Sequence, residues 1–174
     1  MRYALIVGGL VAVLTAAAPA GAQGTGAWHK GTALALFGGA ATASGGSGGA
    51  AGASIAWELT PVFTIEGASL WTRGDADKTF VALAGTRVNL MPRRTLVPFA
   101  SAGVGVHRLL DPAIDNVVSA VGGGVEVFLT QHLSVRPDVR ALFVRGDDDT
   151  RVTGVYGVHL SYHFEDHPIT PVVR

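Results

Sequence analysis

The chain has 174 residues, no cysteine, 24 glycines, and 13 basic against 13 acidic side chains. That length holds one domain, the absence of thiols excludes disulfide staples and cysteine chemistry, and zero formal charge argues against nucleic acid as a partner. Mean hydropathy is positive, yet beyond residue 22 no stretch is long and apolar enough for a transmembrane helix. A membrane β-barrel has this profile, because lipid-facing residues are interleaved with lumen-facing ones.

Residues 1–22 read as a secretory signal peptide. Met1 and Arg2 give a positive start, residues 3–14 are apolar, and Ala20-Gly21-Ala22 is a small-residue cleavage site, with Ala18-Pro19-Ala20 competing. A barrel domain is expected over 23–164 and a short periplasmic tail over 165–174. Strands are predicted at 31–43, 51–59, 62–72, 79–90, 96–109, 117–130, 133–145 and 152–164. Their number is even, and each is long enough to cross a bilayer when tilted. The expected fold is all-β: an eight-stranded, antiparallel, up-and-down transmembrane β-barrel.

The breaks between strands alternate in kind. Thr60-Pro61, residues 91–95 and Gln131-His132 read as tight periplasmic turns. Residues 44–50, 73–78, 110–116 and 146–151 read as longer outer loops rich in Gly and Asp. This is the asymmetry of outer-membrane barrels.

The last predicted strand, VTGVYGVHLSYHF, separates two chemistries by parity. Val152, Gly154, Tyr156, Val158, Leu160, Tyr162 and Phe164 share one apolar face, whereas Thr153, Val155, Gly157, His159, Ser161 and His163 share the other, mostly polar one. The same parity sets seven ionisable residues on the polar face of their strands: Glu58, Glu66, Arg87, Glu126, Arg136, Asp138 and Arg140. An Arg facing lipid at mid-depth costs about 2–4 kcal/mol, so a membrane barrel must turn these inward. There they must pair. An eight-stranded barrel is just wide enough to be filled by its own side chains, so the seven are expected to form a structural network that plugs the lumen. Gly103, Gly105, Gly122 and Gly124 lower the local volume and leave room for small water-filled gaps.

Aromatic residues suggest two girdles at headgroup level, one of Trp57, Phe63, Phe99, Tyr162 and Phe164, the other of Trp71, Phe80 and Phe143. Phe37, Phe128 and Tyr156 do not fit this scheme.

Several apparent sites are weak. Gly45-Gly46-Ser47-Gly48-Gly49 matches a hydrolase nucleophile-elbow pattern, but no helix follows the serine. His159 and His163 share a strand face at about 13 Å, too far apart for one metal ion. Asp147-Asp148-Asp149 reads as a solvated loop, and the two Arg-Gly-Asp triplets, at Arg73 and Arg145, read as strand ends entering turns. No metal, cofactor or catalytic residue is expected.

The segments FASAGVGVHRL (99–109), GGGVEVFLTQHLSVRPDVRALF (122–143) and VYGVHLSYHF (155–164) resemble the small OmpA-like or opacity-type outer-membrane β-barrels. The resemblance implies insertion by the outer-membrane assembly machinery, which reads a last strand ending in an aromatic, here Phe164. It also implies a place for Glu126, Arg136 and Arg140 in the lumen network of such barrels. Ten residues follow Phe164, a departure from the usual end of the assembly signal.

The expected function is that of a non-enzymatic, monomeric barrel of the outer membrane, in contact with lipid and lipopolysaccharide, with a structural or surface-interaction role. Three alternatives stay open. One is a narrow conduit for small solutes. Another is a lipid A deacylase using His132 and Ser134, a partial His-x-Ser match. The third is a soluble secreted barrel with Val158, Leu160 and Phe164 turned inward on an apolar ligand.

Overall fold

The period-two alternation closes into a barrel. A computed structural model of the chain describes residues 31–43, 46–74, 78–92, 94–110, 113–146 and 149–165. The proposed signal peptide, and the tail beyond Glu165, lie outside the described residues. The eight strands are β1 (Thr32–Ala43), β2 (Gly46–Glu58), β3 (Phe63–Arg73), β4 (Lys78–Asn89), β5 (Leu96–Leu110), β6 (Ala113–Phe128), β7 (Leu133–Arg145) and β8 (Thr150–His163). Each pairs antiparallel with the next, and β1 pairs with β8, so no edge is left open.

Following directly paired residues from Thr32 through Trp57, Ile65, Thr86, Ala102, Val121, Ala141 and Gly154 returns to β1 at Thr42. The stagger is therefore ten residues (Thr42 against Thr32), which tilts the strands by about 40°. Thr32 and His163 mark the terminal end of the barrel, and the β1–β2, β3–β4, β5–β6 and β7–β8 hairpins mark the distal end.

The alternation resolves with its polar face inside. Val158 (46 % exposed), Leu160 and Phe164 face outward, whereas Glu126, Arg136, His159 and Ser161 are buried. This overturns the apolar-ligand barrel, which needs the reverse.

Two terminal-end turns are built alike. In 59–63 and in 129–133 a Leu-Thr pair starts the turn, and the Thr hydroxyl accepts the N–H of the residue that resumes the strand, Phe63 (2.9 Å) or Leu133 (3.0 Å). At the distal end two of the four expected outer loops, 44–50 and 110–116, are shorter than expected, whereas the breaks after β3 and β7 lie close to their expected places. Gly46–Ala50 belong to β2 and Ala113–Asn116 to β6. Glycine and mixed polar runs carry no alternation, so they read as loops, but backbone pairing needs no side-chain pattern. Gly46 takes the positive φ of 139° that starts β2. Gly48 lies so close to the Arg73 carbonyl that a Cβ would collide with backbone.

Gly157 likewise leaves no room for a side chain. A Cβ there would meet the Gly38 carbonyl and sit 2.6 Å from Phe37 Cε2. Gly157→Val is expected to cost about 1–3 kcal/mol by overpacking, as an earlier midpoint in urea unfolding. A midpoint unchanged from the parent would contradict this packing.

Candidate functional site: the barrel lumen

The interior divides into two layers of opposite chemistry, and parity alone indicated only one. Toward the terminal end it is charged. Arg136 reaches from β7 to Glu66 on β3, with Nη1 donating to Oε2 at 2.7 Å and Nη2 to Oε1 at 3.3 Å. Arg140, four residues along the same strand, donates to Glu66 Oε1 (3.0 Å) and to Asp138 Oδ2 (2.9 Å). Arg136 Nη2 also donates to His159 Nδ1 (3.0 Å). A guanidinium can only donate, so that nitrogen carries no proton, and the proton on Nε2 faces Asp138 Oδ2 at 3.1 Å.

A second group lies nearer the terminal end. Arg87 Nη1 pairs with Glu126 Oε2 (3.1 Å), and Ser134 Oγ donates to Glu126 Oε1 (2.7 Å). His163 Nε2 sits 3.0 Å from that hydroxyl and 3.3 Å from Glu126 Oε1. Phe99 joins the two groups: the Arg87 and Arg136 guanidinium carbons lie 5.4 and 5.6 Å from its ring centroid, within cation–π range. Three guanidiniums thus face three carboxylates, so the buried charge is balanced.

Six of the seven expected residues meet here: Glu66, Arg87, Glu126, Arg136, Asp138 and Arg140. Glu58 does not join. It is half-buried at the terminal mouth and makes no ion pair among the described residues; its Oε2 and that of Glu165 flank Gly31. Phe99 is the other correction. Its place near a strand end suggests a girdle at the membrane surface, but it is 3 % exposed inside the lumen, on the same parity as Val97 and Ser101. Phe37 and Phe128, which fitted no girdle, also point inward, against His159 and His163 (ring centroids 4.8 Å in both pairs).

Toward the distal end the lumen holds an apolar cluster, with His107 on the inward face beside Val81. Leu70, Val81, Val118, Leu142, Val144 and Val155 are buried in one cluster near the distal ends of their strands. Sequence reading missed this stopper. Its signal was present as apolar residues on both parities, in Val117-Val118 and in Ala141-Leu142-Phe143-Val144. Between the layers lies a cavity of about 30 Å³ bordered by Glu66, Arg87, Ser101, Gly103 and Arg140, room for about two water molecules. Of the four glycines expected to open gaps, Gly103 lines it. A Cβ on Gly122 or Gly124 would instead press on Arg140 Cγ or Asp138.

His132 and Ser134 are not hydrogen-bonded to each other. His132 Nδ1 donates to the His163 carbonyl (3.0 Å), not to Ser134. Ser134 is fully buried, and its hydroxyl is given to Glu126. His163, Ser134 and Glu126 converge, but serine and carboxylate sit at the same ring nitrogen. A hydrolytic triad places the acid on the other.

No protein-family model and no curated protein sequence matches the chain. Solved structures do. Neisserial surface protein A superposes with a TM-score of 0.59 at 13 % identity, covering 79 % of this chain and 98 % of that one. The N-terminal β-barrel domain of Pseudomonas aeruginosa OprF gives 0.61 at 12 % identity, over 78 % and 100 %. The outer-membrane protein OprG from Pseudomonas aeruginosa gives 0.56 at 13 % identity, over 79 % and 98 %. At these identities the likeness concerns the fold: the small eight-stranded barrel of outer-membrane proteins.

Proposed function

We propose that this chain is a non-conducting outer-membrane barrel, exported by its N-terminal segment, that serves as a structural or surface-interaction scaffold and performs no catalysis. One observation carries the reading: the lumen is closed twice in series, by the charge-balanced network and by the apolar stopper. Ions would have to break buried pairs and then pass the cluster of Leu and Val side chains. The outward face supports membrane residence, because the charged side chains on its strands stand only at the distal ends, above a belt of Leu, Val, Ala and aromatic residues. The distal end is then the extracellular one, and its hairpins are short.

Fractionation with a heat-modifiability gel tests residence: a band in the outer membrane that migrates faster before boiling is expected. A soluble product would sink the reading. Planar-bilayer recording tests closure. The parent protein is expected to give no unitary current steps. Val118→Gly with Leu142→Gly, and Arg136→Ala alone, are each expected to stay silent because one layer remains. The three changes combined are expected to open steps. Steady conductance of the unmodified protein would refute the scaffold reading in favour of a conduit.

A further inference from the structure

The outward-facing cations are not evenly spread around the rim. Arg73 and Lys78 are directly paired across β3 and β4. Arg108 stands on the next strand, opposite Phe80 and so diagonal to Lys78. Like charges placed directly opposite on one sheet face repel and destabilise the pairing. Arg108 has a counter-ion in Asp115 at 3.6 Å, both half-exposed, whereas Arg73 and Lys78 have no ionic partner among the described residues. The turn joining them contains Asp75 and Asp77, which lie outside the described residues.

Directly beneath the pair, Trp71 and Phe80 lie against each other with ring centroids 5.0 Å apart, the side-chain type that settles at headgroup depth. Further down β3 and β4 the outward positions are small, Gly67 and Ser69 on β3 and Ala82 and Ala84 on β4, whereas on β5 Val106 and Val104 project below Arg108. The wall under the Arg73–Lys78 pair is therefore flat, with the two β5 valines as a ridge along one side. On the opposite side of the barrel, Tyr156, Val158 and Leu160 project instead.

We propose that the β3–β4–β5 rim is a binding site for the phosphate of a multiply acylated membrane lipid. Arg73 and Lys78 hold the phosphate between them, Arg108 contributes from the side, Trp71 and Phe80 border the headgroup, and the acyl chains lie on the flat wall below. An anion between the two cations turns their repulsion into attraction. The proposal rests on the membrane residence proposed above and adds a defined lipid site to it.

The test is titration of the full-length protein, refolded in detergent, with diphosphoryl lipid A and with its fully dephosphorylated form. Each cation near an anionic headgroup is worth about fivefold, so Arg73→Gln with Lys78→Gln is expected to weaken binding of the phosphorylated lipid about thirtyfold. The parent should lose a similar factor on the dephosphorylated lipid, and Arg145→Gln, on the far side of the rim, should change binding less than about twofold. Parent-like binding by the double variant overturns the site. A loss as large with Arg145→Gln also overturns it, showing diffuse attraction by the whole rim. A heat-modifiability gel on each variant checks that the barrel has closed. Absence of the parent from the outer-membrane fraction defeats the residence reading separately, whatever the titration shows.

Discussion

Glu66→Ala is expected to lower the stability of the barrel by about 3–5 kcal/mol, measured by urea unfolding from lipid vesicles with tryptophan emission as the signal. Glu66 is the shared acceptor of two arginines, taking three donated hydrogen bonds from Arg136 and Arg140. Removing it leaves Arg136, 2 % exposed, with His159 and the Phe99 ring as its remaining partners. Neither carries a compensating negative charge. Arg140 keeps Asp138 and suffers less. The cost comes mainly from the stranded cation, so Glu66→Leu with Arg136→Met is expected to recover most of the loss. A single-variant loss under about 1 kcal/mol would mean that water reaches Arg136 and the lumen is not sealed.

Val158→Arg is the second large effect. Val158 faces outward near mid-wall, between Gly38 on β1 and Pro137 on β7. In a bilayer the introduced guanidinium meets hydrocarbon, and the expected loss is about 2–4 kcal/mol. Val152→Arg, on the same face but near the distal end, is expected to cost about 0–1 kcal/mol because the side chain reaches headgroups. The contrast between the two positions is the signature. Equal tolerance of both would mean that this face meets water, and would remove the basis for membrane residence.

Alternation made much of the fold legible. β7 falls at its expected bounds, and the other strands differ from expectation mainly at their ends. The two largest shifts, at the start of β2 and of β6, occur where glycine or mixed polar residues erase the pattern that marks a strand. Ladder pairing with Ala40–Ala43 and with His107–Leu110 holds those residues in register. The turns at Thr60-Pro61 and Gln131-His132 were visible as breaks in the alternation, whereas the Thr60 and Thr130 hydroxyls that accept the next strand's N–H emerged only in the structure.

Charge identity was legible as well, because a buried guanidinium or carboxylate in a membrane barrel has only one affordable side of the wall. Which charge meets which was not. Arg136 pairs with Glu66, 70 residues away, because the ten-residue stagger carries β7 opposite β3 at that depth. Parity states a side; the stagger and tilt state a height. Glu58 shows the difference: its parity is right, but it sits at the terminal mouth, clear of the ion pairs.

By itself, then, the sequence determined the strand count, the antiparallel order and the division of residues between two faces, because a local period of two marks strands and faces and the short breaks between strands allow only antiparallel neighbours. Only the tertiary structure decided that the polar face is the inner one. It also decided that Phe99 lies between two guanidiniums and that Leu142 and Val118 close the distal half. Each of these depends on barrel closure and stagger, through which residues far apart in the chain come to share one height in the lumen.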